Sequence, residues 1–519
     1  MNGADRLCDT LLGNGVDVCF ANPGTSEMHF VAALDRRPQM RCVLGLFEGV
    51  VTAAADGYAR MADKPAATLL HTGPGLANGL ANLHNARRAR TPIVNVVGDH
   101  AGYHLAFDAP LTSDIDSLAR PMSHWLRRCT GPADVGAAAE AAIVAARTHP
   151  GVATLILPAD SAWGEIAEAG DVRPATIPAP RAVAEERIAA AAEAIRNAGP
   201  RAGILLGNMA LRAGALETAG RIAAATGAKL LSPVQIARLE AGRGRVPVTK
   251  IPYAIDLALK CLAEFDVLVL VGAPEPVAFF AYPGKPSRLL PEGATALLMA
   301  EPGEALGEAL EALADRLGAR TPLRVSVPAA LEGVPEGDLT DAALSHSIAM
   351  LLPEGAIVVD EGLTTARSVF DLFKSAPPHD YLMLTGGAIG MGPGAAAGAA
   401  LASPGRKVVA LQADGSGMYT VQGLWTQARE KLDVVTIIFS NRSYAILQRE
   451  MRNVGVNQFG DNARRMMQLD DPAIDWVSLA NGMGVEGAAV ESAEGFHAVL
   501  DYALNREEQG PFLIEAVMA

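Results

Sequence analysis

The chain has 519 residues, of which 50% are hydrophobic and 19% are charged, and its formal net charge is −14. This composition excludes an intrinsically disordered chain, and the negative charge argues against a nucleic-acid partner. A chain of this length is too long for one hydrophobic core and suggests about three domains.

The N-terminal sequence and the cysteine pattern bear on the cellular location of the protein. The opening MNGADRLCDTLLGNGVDVCF carries acidic residues within its first apolar stretch, which is untypical of a signal peptide. No apolar run approaches the roughly 20 residues that a membrane span needs, so no membrane partner is expected. Five scattered cysteines without a Cys-x-x-Cys pair are typical of buried free thiols in a reducing compartment. We therefore expect a cytoplasmic protein.

Two Pro- and Arg-containing stretches, residues 169–187 and 316–340, have the composition of linkers. They divide the chain into three parts of domain size. We expect an N-terminal domain at 1–170, a middle domain at 185–325 and a C-terminal domain at 340–519.

Each part alternates short apolar, β-branched runs with Ala- and Leu-rich helical runs. Examples of the apolar runs are AATLLHTG, AGILLGN and KVVALQADG. Apolar strands that do not alternate with polar residues, and that are separated by helices, are typical of buried parallel sheets. The predicted fold class is therefore α/β, with three open, doubly wound parallel sheets.

One carboxylate, Glu48, stands in the apolar and small-residue run LGLFEGVVTAAADGYAR, where a buried strand end leads into a helix. Charged side chains are rarely fully buried unless they are paired or bind a ligand. Glu48 is therefore a candidate functional residue, and an ion pair with Arg60 or Arg41 is the structural alternative.

Three histidines follow predicted strands in the first part. His71 ends a strand in LLHTGPG, beside a tight turn, and it serves catalysis only if it faces a cleft. A lone histidine is more often a structural residue. His100 and His104 in GDHAGYH are compatible both with an active-site entrance and with a solvated loop.

The third part carries the most specific chemistry. One predicted strand ends at Asp414-Gly415-Ser416 and the next ends at Asn441. Open α/β sheets bind ligands at the carboxyl ends of their strands. Carboxylate and amide oxygens suit Mg²⁺, while Gly415 permits close approach and Ser416 can donate to a phosphate. A metal–diphosphate site is preferred over the alternative, an Asp-Gly turn followed by an Asn-capped loop.

The stretch TGGAIGMGPG, at 385–394, does not have the spacing of the GxGxxG dinucleotide fingerprint. No acidic residue follows about 20 positions later, as that fingerprint requires. On composition alone, a Gly-rich packing turn is the commoner case.

Several motifs, in the same order along nearly the whole chain, resemble those of thiamine-diphosphate enzymes of the acetolactate synthase and benzoylformate decarboxylase family. They are NPGTSE, EGVVTAAADGYAR, TGPG, VGAPEP, GGAIGMGPG and the segment from Asp414 to Asn441. The diphosphate motif of that family begins Gly-Asp-Gly, and here Ala413 replaces the first glycine.

The resemblance implies thiamine diphosphate and Mg²⁺ as cofactors. The metal ligands it implies are Asp414, Asn441 and the carbonyl of Ser443, and the other diphosphate-side contacts are Gly415, Ser416 and Tyr444. FAD is left open, because 188–320 has no clear signature and the acidic turn in LLMAEPGEAL lies where a ribose binds in some relatives.

At the aminopyrimidine end, the resemblance places Glu48 against the N1′ atom, across a subunit boundary. The Gly387 carbonyl matches the acceptor for the 4′-amino group, and Ile389 matches the bulky residue beneath the bent cofactor. Because Glu48 and Asp414 would then come from different protomers, a homodimer or a homotetramer is expected.

The resemblance also suggests residues that handle substrate. His71 coincides with a catalytic histidine of benzoylformate decarboxylase, and Thr25 falls where that enzyme has a serine. Phe279, in GAPEPVAFFAYPG, stands where the decarboxylase has its second histidine, so the proton relay of the decarboxylase is incomplete here.

The predicted function is that of an acetolactate-synthase-like enzyme, which decarboxylates a 2-oxo acid and transfers the acyl unit to a second carbonyl. The alternatives are a benzoylformate-decarboxylase-like enzyme without ligation and a 2-hydroxyacyl-CoA lyase. The lyase would need a basic C-terminal patch, which GPFLIEAVMA does not offer. A non-catalytic relative is disfavoured because Glu48, Asp414 and Asn441 are all retained.

Overall fold

A computed structural model gives the fold of residues 1–167 and 170–518. Residue 169, the first of the linker expected at 169–187, lies outside the described residues. The described chain forms three sheets, mostly parallel and flanked by helices. The predicted α/β fold class with three parallel sheets is thereby confirmed, while the expected domain limits stay predictions.

The first sheet contains six parallel strands in the order β2-β1-β3-β4-β6-β5. Alternate residues of β1 enter two different hydrophobic clusters, Val18 and Phe20 on one face and Cys19 and Ala21 on the other. Both faces of the sheet are therefore buried, as the unbroken apolar strands predict. Its elements are α1 (Gly3–Gly13), β1 (Val18–Asn22), α2 (Met28–Asp35), β2 (Arg41–Leu44), α3 (Glu48–Ala62), β3 (Ala66–Leu70), α4 (Thr72–Ala89), β4 (Ile93–Asp99), α5 (Ile115–Ala119), β5 (Trp125–Arg128), α6 (Val135–Thr148), β6 (Val152–Pro158) and α7 (Ala159–Trp163).

The second sheet contains five parallel strands in the order β10-β8-β7-β11-β12. The strand order reverses between β7 and β11, which is where a doubly wound sheet opens a crevice. The elements of this part are α8 (Glu185–Ala198), β7 (Ala202–Leu206), α9 (Ala213–Thr226), β8 (Lys229–Ser232), β9 (Leu239–Ala241), β10 (Thr249–Lys250), α10 (Ile255–Leu262), β11 (Val267–Val271), β12 (Thr295–Ala300) and α11 (Leu306–Leu317).

The third sheet has the order β17-β18-β16-β15-β13-β14-β9. Its elements are α12 (Asp341–Leu351), β13 (Ile357–Glu361), α13 (Val369–Leu372), β14 (His379–Met383), α14 (Gly392–Ala402), β15 (Val408–Ala413), α15 (Asp414–Gly417), α16 (Gly423–Arg429), β16 (Val434–Ser440), α17 (Ala445–Asn453), α18 (Asp461–Met467), α19 (Trp476–Gly482), β17 (Glu486–Val490), α20 (Ala493–Asn505) and β18 (Phe512–Val517).

One strand departs from the prediction of purely parallel sheets. The short β9 comes from the middle part of the chain and pairs antiparallel with β14, with Leu239 opposite Tyr381. An exposed sheet edge leaves backbone groups unpaired, and β9 satisfies them. A three-residue edge strand has too little apolar pattern to be recognised in the sequence.

Two helices, α3 and α14, cross in close contact and join the first sheet to the third. A Cβ at Gly57 would lie 2.1 Å from the Ala395 carbonyl oxygen, and one at Gly398 would lie 1.8 Å from the Ala54 carbonyl oxygen. Only glycine therefore permits this separation of the two helix backbones. The Ala- and Gly-rich composition of the two helices thus permits their close packing.

Buried arginines link the three parts of the chain. Arg60 bonds Asp56 through Nε at 2.8 Å and donates from Nη1 to the Met383 carbonyl at 2.8 Å. Arg238, from the middle part, donates to Asp380 at 2.6 Å and to the Arg60 carbonyl at 3.0 Å. These contacts satisfy backbone carbonyls where the three parts meet.

All five cysteines are unpaired, and Cys8, Cys19 and Cys129 are buried. Cys42 is exposed, contrary to expectation, because it lies on β2 at the edge of the first sheet. Within residues 1–167 and 170–518, no helix is both long and apolar enough to cross a membrane.

The buried His379 makes the stability of the fold depend on pH. Its Nδ1 atom lies 2.7 Å from the Pro377 carbonyl, and burial lowers the pKa of His379 from 6.5 to about 4. The unfolded chain therefore binds a proton that the folded chain excludes, and stability falls as pH drops from about 6.5 towards 4.

We expect His379 alone to remove about 2 kcal/mol from the free energy of unfolding between about pH 7 and about pH 5. Urea unfolding of the wild type and of His379→Asn, whose amide retains a donor for Pro377, would measure this. The variant should lose less stability over this range. The control is His104→Asn, at an exposed position, and equal pH dependence in all three proteins would contradict the assignment.

Candidate functional site

Asp414 and Asn441 follow two adjacent parallel strands, with Ala413 at the end of β15 opposite Phe439 of β16. The Asp414 carboxylate is 3% exposed and accepts the Arg442 backbone N–H at 2.7 Å. The side-chain oxygen of Asn441 accepts the Ser443 N–H at 3.0 Å. The two predicted oxygen donors therefore lie at the same edge of the third sheet.

The donors at this edge fit a hard divalent cation. Burial raises the pKa of Asp414 to about 6, and this carboxylate has no ion-pair partner within the described part of the chain. A bound Mg²⁺ would compensate the buried charge, with the Asn441 amide and the Ser443 carbonyl as neutral ligands. Among the described residues, no group of three His, Cys, Asp or Glu side chains could hold a metal ion, and the candidate site at Asp414 instead combines one carboxylate with neutral oxygen donors.

The residues after Asp414 are packed tightly. The Ser416 hydroxyl accepts from Gln412 Nε2 at 2.5 Å and lies 3.2 Å from the Ala413 carbonyl, to which it donates. To donate a hydrogen bond to a phosphate, as predicted, the Ser416 hydroxyl would have to break its bond to the Ala413 carbonyl. The Tyr444 ring lies over Gly415, where a Cβ would come within 2.4 Å of it.

The Gly-rich loop before α14 is held by Glu361, which the sequence analysis missed. This carboxylate is 1% exposed and accepts backbone N–H groups from Gly390 at 2.6 Å and from Gly392 at 2.7 Å. Burial raises the pKa of Glu361, while these bonds act in the opposite direction. The sequence did contain a signal for Glu361, because in VVDEG this carboxylate ends a buried strand, as Asp414 follows one.

Gly387 and Ile389 lie on that loop. Gly387 is exposed and has a φ of +77°, a conformation that favours glycine. The Phe279 ring reaches it, because a Cβ at Gly387 would lie 2.8 Å from Phe279 Cζ. Ile389 is half-buried against the hydrophobic cluster shared by the first and third sheets.

Glu48 is the first residue of α3 and is 7% exposed. Its Oε2 atom accepts from Asn78 Nδ2 at 3.0 Å. The arginines of the alternative interpretation are engaged elsewhere, Arg60 with Asp56 and Arg41 with Glu430. Glu48 thus has no ion-pair partner among the described residues, and the structural alternative is wrong.

His71 lies near Glu48, because a Cβ at the intervening Gly75 would lie 3.2 Å from Glu48 Oε1 and 3.3 Å from His71 Cβ. The His71 Nδ1 atom is 2.8 Å from Glu27 Oε2 and 3.2 Å from Ser26 Oγ. A carboxylate accepts, so Nδ1 carries the proton and Nε2 remains available to a substrate.

Glu27 was also missed, although it closes the motif NPGTSE and is 3% exposed. Thr25, the residue predicted from the resemblance, is exposed, and the neighbouring Ser26 contacts His71 instead. The short 3₁₀ helix Thr25–Glu27 turns successive side chains in different directions, which motif matching does not resolve.

His100 and His104 lie on the loop after β4, with ring centroids 5.4 Å apart. His104 also contacts the exposed ring of Phe107. Neither histidine hydrogen-bonds Glu48, His71 or Asp414, so the structure does not add them to the site.

Two glycines pack closely at the crevice between β7 and β11. A Cβ at Gly207 would lie 2.6 Å from the Gly272 carbonyl oxygen, and one at Gly272 would lie 2.6 Å from Leu306 Cδ1. Glycine permits this close approach of the two segments. Glu304, in the acidic turn, accepts from Arg187 at 2.6 Å.

Comparison with known proteins matches both ends of the chain to one family. Residues 1–119 match the family model described as the thiamine pyrophosphate enzyme, N-terminal TPP binding domain, and residues 364–516 match the corresponding C-terminal TPP binding domain. The matched ranges contain Glu48 and His71 in the first case and Gly387, Asp414 and Asn441 in the second.

Relatives and solved structures match over nearly the whole chain. The "Putative acetolactate synthase large subunit IlvX" of Mycobacterium tuberculosis is 50% identical, over 100% of this chain and 99% of that protein. Benzoylformate decarboxylase of Pseudomonas aeruginosa is 30% identical, over 98% and 97%. The structure of a thiamine diphosphate-dependent 4-hydroxybenzoylformate decarboxylase of Rhodococcus jostii has a TM-score of 0.83 at 26% identity, covering 100% and 99%. The chain belongs to the family of thiamine pyrophosphate-dependent enzymes.

Proposed function

We propose that this protein uses thiamine diphosphate and Mg²⁺ to decarboxylate a 2-oxo acid and to join the acyl unit to a second carbonyl, as acetolactate synthases do. The observation that carries this proposal is the state of Glu48. It is a carboxylate that is 7% exposed, and within residues 1–167 and 170–518 it has one side-chain donor, Asn78, and no cation beside it. Burying such a group is unfavourable unless a ligand completes its interactions.

The residues that would hold the cofactor lie on two strand ends and one loop. Asp414, Asn441 and the Ser443 carbonyl would bind Mg²⁺, and the Gly387 carbonyl and Ile389 would contact the aminopyrimidine end. When bound, thiamine diphosphate supplies the centre that takes up the carbonyl carbon of a 2-oxo acid and allows carbon dioxide to leave. Glu48 would hold a proton at the N1′ atom and thereby control that centre.

His71 would handle the proton on the substrate side. Its Nδ1–H donates to Glu27 at 2.8 Å, so the ring is fixed in one orientation with Nε2 available. Thr25, exposed on the adjacent turn, would orient the substrate carboxylate. The negative charge of Glu27 stabilises the protonated ring when Nε2 accepts a proton.

Phe279 favours ligation over aldehyde release. Its ring lies against Gly387, at the position where the related decarboxylases have a histidine, and it has no proton to give. Without that donor, attack on a second carbonyl competes better with protonation of the bound acyl unit. Simple decarboxylation with aldehyde release is the second candidate, favoured by the His71–Glu27 pair.

We further propose a homodimer or homotetramer in the cytoplasm, in which Glu48 of one protomer acts on the cofactor bound by its partner. The family resemblance supports this arrangement. FAD is not part of the proposal.

Product analysis tests the proposed reaction. Proton NMR would follow the protein with thiamine diphosphate and Mg²⁺, with pyruvate in one sample and benzoylformate in another. Acetolactate or acetoin from pyruvate is the expected result. Benzaldehyde alone would contradict ligation and favour the second candidate, and absence of reaction despite cofactor binding would contradict both substrates.

Glu48→Gln should lower kcat by about 10²- to 10⁴-fold, because the amide cannot exchange a proton with the N1′ atom. Thiamine diphosphate affinity should change little, since the amide still fits beside Asn78. Steady-state kinetics and calorimetry would separate the two effects. Glu140→Gln, at an exposed position of α6, is the control, and full activity of Glu48→Gln would refute the assigned role.

Glu27→Gln should lower kcat by about ten- to a hundredfold, because a neutral amide orients His71 but no longer stabilises its protonated form. Glu193→Gln, at an exposed position of α8, should leave the rate unchanged. Steady-state kinetics would measure both, and a wild-type kcat in Glu27→Gln would argue against a His71–Glu27 unit.

A further inference from the structure

Helix α4 carries a stripe of amide side chains, Asn78, Asn82 and Asn85, at the spacing i, i+4, i+7. Residues with this spacing share one face of a helix. Asn78 donates to the Glu48 carboxylate, whereas Asn82 is 2% exposed and Asn85 is fully buried. Buried amides at helical spacing require partners, and these partners lie outside the helix.

Asn82 connects the beginning of α3 with the Gly-rich loop of the third part. Its Nδ2 atom lies 2.9 Å from the Gly49 carbonyl oxygen and 3.2 Å from the Gly390 carbonyl oxygen. Gly49 directly follows Glu48, so a single amide group fixes the Glu48 turn relative to the loop that carries Gly387 and Ile389.

Asn85 holds the middle of the same loop with both ends of its amide. Nδ2 donates to the Ala388 carbonyl at 2.7 Å, while Oδ1 accepts the Gly386 N–H at 3.1 Å and the Ala388 N–H at 3.2 Å. Gly387 lies between these two anchored residues. Its positive φ is therefore imposed from both sides, although no hydrogen bond within the described chain uses its own carbonyl.

His84, the neighbour of Asn85, adds a further contact to this loop. Its Nε2 atom lies 3.1 Å from the Gly386 carbonyl oxygen. A carbonyl oxygen only accepts, so Nε2 carries the proton and donates. The approach is close, because a Cβ at Gly386 would lie 2.7 Å from His84 Cδ2 and 2.4 Å from Asn85 Oδ1.

We propose that His84 is a positioning residue, whose bond to the Gly386 carbonyl orients the next peptide so that the Gly387 carbonyl can accept from the amino group of a bound aminopyrimidine. This inference rests on the proposed function. His84 itself touches neither cofactor nor substrate, and Asn82 and Asn85 restrict the same loop from the same helix.

The proposal predicts an effect on one end of the cofactor only. The diphosphate end binds at Asp414 and Asn441, to which His84 makes no hydrogen bond. A ligand that lacks the aminopyrimidine, such as inorganic pyrophosphate with Mg²⁺, reports on that end alone. Comparing it with thiamine diphosphate separates positioning of the loop from general damage to the site.

The experiment is calorimetric titration of thiamine diphosphate and of inorganic pyrophosphate, each with Mg²⁺, into the full-length wild type, His84→Leu and His84→Gln. Leucine fills a similar volume without a donor, and glutamine places an amide N–H near the position of Nε2. We expect His84→Leu to weaken thiamine diphosphate binding by about three- to tenfold, the range for loss of one hydrogen bond.

Pyrophosphate affinity should stay unchanged in both variants, and His84→Gln should restore thiamine diphosphate binding to near the wild-type value. Unchanged thiamine diphosphate binding in His84→Leu, or equal weakening of both ligands, would overturn the inference while leaving the proposed function intact. Failure of the wild type to bind thiamine diphosphate would overturn the proposed function and this inference together.

Discussion

The contact between α3 and α14 is the constraint on which the site depends. Gly57 and Gly398 bring the two helix backbones so close that any Cβ at either position would overlap a carbonyl oxygen. Each helix begins at a functional feature, α3 at Glu48 and α14 directly after the Gly-rich loop. A separation set by backbone contact is rigid, so Glu48 and the Gly-rich loop of the same chain keep a fixed relation, although in the proposed dimer they serve two different cofactors.

Buried polar side chains also fix the Gly-rich loop next to the α3–α14 contact. Glu361 satisfies the N–H groups at the beginning of α14, and Asn82 and Asn85 satisfy the carbonyls and N–H groups of the preceding loop. Asp414 and Glu48 have no ion-pair partner in the described part of the chain. Burying a carboxylate without a cation is unfavourable, so these are the two groups that a metal and a cofactor would stabilise in the proposal.

The sequence predicts central strands in each of the three sheets, such as β3, β7 and β15, because buried parallel strands read as continuous apolar runs. It also predicts Asp414 and Asn441, since strand ends lie at one edge of such a sheet. The sequence analysis did not find Glu361, Glu27 or the amide stripe of α4. Their hydrogen-bond partners come from distant segments of the chain and depend on how α3 packs against α14. The contact of Ser26 with His71 could not be predicted either, because a motif match does not give side-chain direction within a turn.

The central claim is that Glu48 activates thiamine diphosphate held by the third part of the partner subunit. The most direct measurement is the rate of hydrogen–deuterium exchange at C2 of bound thiamine diphosphate, followed by proton NMR after rapid quenching. It requires no knowledge of the substrate. The account predicts exchange much faster than in the free cofactor for the wild type, and a return towards the free rate in Glu48→Gln. Equal exchange rates in the two proteins, with the cofactor bound in both, would contradict it.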